Sequence, residues 1–233
     1  RTLRLGLDEM STWIWGMLLS FIGLLLGWEF ARLQPAGAIA SFVFGTLTWA
    51  LGGPGWFFPL AALGLVLAIL HPKRRDIDLE QVAPLAIGAV AFMAGLEYVG
   101  SYTAGAAPYL ATLSAAGAIA LARLRPEADV RGMHAKLSAL PMIVRAAVGA
   151  FVPLLPAVFW PVYGDVVASS MVFATQNETL MLELRVHLLV LTSAALGAAA
   201  WIPLRRFPRV GRRIVAVLIA GVAAWGRVQL GWY

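Results

Sequence analysis

Arg205-Arg206-Phe207-Pro208-Arg209-Val210-Gly211-Arg212-Arg213 sets five arginines between two long apolar runs. A stretch this basic cannot rest in hydrocarbon, and loops rich in Lys and Arg stay on the cytoplasmic side of a membrane. Fixing this loop inside gives a side to every other loop. The rest of the composition agrees: 61% of the 233 residues are hydrophobic, only 13% are charged, and mean hydropathy is +0.80. Soluble domains carry roughly twice that charged fraction. The expectation is an all-α polytopic membrane protein, a bundle of about eight transmembrane helices forming one domain over residues 1–233.

Working outward from the loop, the flanking apolar runs are Thr179 to Leu204 and Ile214 to Tyr233. Earlier runs are Met10 to Phe30, Ala36 to Leu51, Trp56 to Leu70, Val82 to Val99 and Tyr102 to Leu124. The first exceeds a secretory signal core and lacks a small-residue cleavage site, so it reads as a span. Leu137 to Tyr163 is overlong and interrupted by Pro141, Pro153, Pro156 and Pro161. Such a proline-broken helix is either a simple kink or an opening of backbone toward a substrate. Gly52-Gly53-Pro54-Gly55 reads as an uncharged turn.

Alternation from the basic loop puts Arg32, Lys73, Arg74, Arg75, Arg123, Arg125, Arg131, Lys136 and the five loop arginines inside. Only Arg1 and Arg4 fall outside, with both termini on that side. A ninth span over Ala157 to Thr175 would split the basic loops between the two faces. The segment therefore reads as a short outer re-entrant or interfacial element, tolerated where protein buries its backbone. Trp13, Trp15, Trp49, Trp56, Trp160, Trp225 and Trp232 lie toward the outer side and only Trp28 and Trp201 toward the inner, an interfacial belt. The near-absence of lysine, with abundant Ala, Leu and Gly, points to a bacterial inner membrane.

Cysteine is absent, so disulfides, thiolate metal sites and a cysteine nucleophile are excluded. Phosphate-loop, HExxH, GxSxG and GxGxxG patterns are absent too, and Asn177-Glu178-Thr179 is a sequon of consequence only in a eukaryotic secretory membrane. Charges within spans are costly and are functional candidates by default. Arg145 is expected about 12 Å into the sixth helix. It either serves function, snorkels to the inner headgroups, or pairs with a helix-end carbonyl. Glu183 and His187, four apart, share a helix face while Arg185 points elsewhere. Such a pair has the chemistry of a proton relay. Zinc needs at least three protein ligands, and His71 and His134 lie on the other side, so no metal or cofactor is expected. Glu97 is the expected partner of Arg227. With Asp165 and Glu178 these residues gather at one level of the outer half.

The leading expectation is a small transporter, or the membrane subunit of a transport system, with a polar site in that outer half. The first alternative is a membrane enzyme acting on a lipid or lipid-linked substrate at the outer leaflet, with Asp165, Glu183 or His187 as acid or base. The second is a non-catalytic subunit whose small-residue faces, Ser193-x-x-x-Gly197 and Ala216-x-x-x-Ala220-x-x-x-Ala224, pack against other subunits. The expected partners are membrane lipids and other membrane subunits. Nucleic acid is not expected, because the net charge of +6 sits in short loops between apolar runs.

Overall fold

The computed structural model describes residues 11, 13–25, 35–70, 102–124, 133–159, 176–206 and 208–230. Every element among them is helical. They are α1 (13–25), α2 (Pro35–Leu70), α3 (Tyr102–Ala122), α4 (Met133–Ser138), α5 (Met142–Phe151), α6 (Leu154–Phe159), α7 (Gln176–Ala200), a 3-10 turn (Pro203–Arg206) and α8 (Arg209–Gln229). The architecture is a helical bundle with no strand among the described residues. Among the described residues no helix is long and apolar enough to cross a membrane. The expected span Val82 to Val99, with Glu97, and the expected re-entrant segment with Asp165 lie outside the described residues.

α2 is helical throughout its 36 residues, yet it cannot be straight. In a straight helix Gly45 and Phe57 would stand roughly 18 Å apart. Instead a Cβ on Gly45 would lie 3.5 Å from the Phe57 ring. Trp49 meets the rings of both Phe57 and Phe58, at 5.5 and 6.4 Å between centroids. The chain therefore folds back between Gly45 and Phe57. Edge-on aromatic contacts hold the bend, which divides α2 into two arms.

Pairwise contacts give each helix a direction. Gly16 of α1 abuts Trp49, and Ser20 abuts Gly45, so α1 runs antiparallel to the first arm of α2. The second arm runs parallel to α3: Trp56 stacks on Tyr109 at 4.6 Å between centroids, and Leu63 lies against Gly117. The Tyr109 hydroxyl donates to the Trp56 carbonyl at 2.5 Å. α3 and α5 are antiparallel, because Gly117 touches Gly149 while Leu124 meets Arg145. α7 and α8 are also antiparallel, with Gly197 against Ala216 and Ala220.

α3 is the hub. From Ala107 to Ile119 every residue is buried, because α2, α5, α7 and α8 surround it. A helix apolar on all sides can be satisfied only in such a place. Close approach is made by small residues. Gly117 and Gly149 bring two backbones into direct contact, leaving no room for a Cβ on either. Ala194 of α7 and Ala220 of α8 join Ala115 of α3 in a second small-residue cluster.

The overlong sixth segment is broken at Pro141 and Pro153, whereas Pro156 lies inside α6 and Pro161 lies outside the described residues. α4 ends at Ser138, Pro141 precedes the first turn of α5 with extended backbone (φ −54°, ψ 145°), and α6 starts after Pro153. This corrects the depth expected for Arg145. It lies in the first turn of α5, not two turns inside a continuous helix, because Pro141 restarts the helix there. The small-residue stripes are corrected in role as well. Gly197, Ala216 and Ala220 pack α7 on α8 within this chain, so that face is already used.

Candidate functional site

Helix directions sort the charged residues to two ends of the bundle. One end holds the C-terminal ends of α3 and α7 and the N-terminal ends of α5 and α8. The other holds the N-terminal part of α7 and the C-terminal part of α8.

At the second end stand three of the residues singled out in the sequence. Arg227, in the last turn of α8, is half-buried. Its guanidinium donates to Thr192 Oγ1 at 2.5 Å and to Ser193 Oγ at 3.5 Å on α7. Antiparallel packing of α7 and α8 sets this pairing, since the register that places Gly197 opposite Ala220 carries Thr192 to Arg227. Thr192 also donates back to the carbonyls of Leu188 and Leu189, which orients its oxygen. His187, five residues earlier on the same helix, is half-buried, and Arg185 is exposed. The side chains of Glu178 and Glu183 lie outside the described residues, as do Glu97 and Asp165. The structure therefore joins Arg227 to two hydroxyls of α7, and the expected pairing with Glu97 lies outside its reach.

Arg145 stands at the opposite end, away from Arg227. Its guanidinium donates to the carbonyl of Leu124, just past the last turn of α3. The end of α3 tightens there, with Arg123 and Leu124 N–H groups bonding three residues back. Carbonyls at a helix C-terminus lack intrahelical donors and carry the negative end of the dipole, so a cation is favoured. Arg145 thus fills the helix-end pairing role. Arg145→Ala is expected to lower stability by about 1–2 kcal/mol through the lost charged bond. Arg145→Lys should recover part of it, and thermal unfolding of the purified variants reads both.

The sequence reading missed a second group at this end. Trp201, in the turn after α7, receives two guanidiniums on its ring: Arg212 at 4.6 Å and Arg123 at 5.4 Å from the centroid. Each residue lies at a helix end that alternation places on the inner side, so their common level was readable. Their contact depends on which helices are neighbours, and a single sequence does not carry that. Comparison of the chain with family models, with curated proteins and with solved structures finds no match.

Proposed function

We propose that the chain is a membrane-embedded helical bundle of a transport system, either a small transporter or its membrane subunit, in a bacterial inner membrane. The observation that carries the membrane part is the inverted placement of side chains. Alanine makes up about half of the buried apolar residues, and buried Thr48, Thr112, Ser114 and Ser193 lie among them. Bulky apolar residues point outward: Ile14, Leu18, Phe21 and Leu25 on α1, Leu184, Leu188 and Leu196 on α7, and Val215, Ile219 and Val222 on α8. In water the larger side chains would gain most by turning in. In lipid they gain nothing, and small residues take the interface because they let backbones approach. The outward stripes occupy three helices, α1, α7 and α8. Heavy use of Ala, Gly, Ser and Thr for packing also lowers the apolarity of α3, α7 and α8.

The transport part rests on Arg227, a half-buried charge on the Thr192 and Ser193 hydroxyls of α7, and on the break of the sixth segment at Pro141 and Pro153. Ser193 is fully buried behind Arg227. If this polar end opens as a pathway, a small impermeant thiol reagent should modify Ser193→Cys in membranes. Thr112→Cys, equally buried within α3, should stay unreactive. Equal silence at both positions would contradict the transport reading.

Orientation is checked separately. With no native cysteine, Ser101→Cys is expected to label in intact cells and Val210→Cys only after permeabilisation. A chain not held in the membrane would leave both unlabelled until lysis.

A further inference from the structure

We draw no further inference here: the strongest candidate, the exposed apolar face of α5 formed by Met142, Ile143 and Phe151, supports none because nothing in the structure shows what covers it.

Discussion

Val222→Asp is expected to remove the protein from the membrane fraction. Val222 lies well inside α8, Arg209–Gln229, and is 59% exposed on the face turned away from Ala216, Ala220 and Ala224. If that face meets lipid, an aspartate near mid-depth costs about 2.5–3.5 kcal/mol on insertion scales. That is a large share of the few kcal/mol that hold a domain together. If the face meets water, the same change is a surface substitution worth about half a kcal/mol or less. Val222→Leu should be silent in either solvent. The comparison of membrane-fraction yield and melting temperature for the two variants therefore reads the solvent of α8 directly.

Gly117→Ala is expected to be the most damaging single-methyl change in the bundle. The added Cβ would strike the Gly149 carbonyl, with the carbonyl carbon at 3.0 Å and Leu63 Cδ1 at 3.1 Å. Gly149→Ala meets the same obstacle from the other side, with Ala118 N at 2.9 Å. A flexible side chain could move aside, but a backbone carbonyl in the middle of a packed helix cannot. Overpacking of this kind costs about 1–3 kcal/mol, and more when backbone must separate. Gly226→Ala in α8 has nothing within 4 Å of the new Cβ. There alanine should stabilise by about 0.5–1 kcal/mol through helix propensity. Thermal unfolding in detergent separates the two outcomes, and equal melting of Gly117→Ala and wild type would remove the α3–α5 contact from the account.

Much of the helical layout is legible in the sequence, because it depends on local chemistry. Pro141 and Pro153 interrupt the sixth segment where they stand, whereas Gly52-Gly53-Pro54-Gly55, expected as a turn between two helices, is helical within α2. Directions of the described helices follow from alternation about the Arg205–Arg213 loop. What the sequence does not carry is adjacency. The Ser193, Gly197, Ala216 and Ala220 stripe looks the same whether it faces a second protein or the next helix of its own chain. Packing of α7 on α8 decides that, and it also delivers Arg227 to Thr192. Arg145 was legible as a charge needing a partner, whereas its partner is the end of α3, two elements earlier. The Trp201 contact was missed for a related reason. A tryptophan near an inner helix end reads as interfacial belt until two arginines from other helices are found on its ring.

On the reading proposed here, lipid solvates the outward apolar faces of this bundle. Leu188, well inside α7 and 52% exposed, is suited to a spin label attached through Leu188→Cys in the cysteine-free chain. In liposomes, the label's collision rate with oxygen, which concentrates in hydrocarbon, is compared with that for a water-soluble nickel chelate. Oxygen collisions are expected to dominate at Leu188, and the order is expected to reverse for a label at Val210 in the basic loop. Nickel collisions dominating at both positions would contradict that reading.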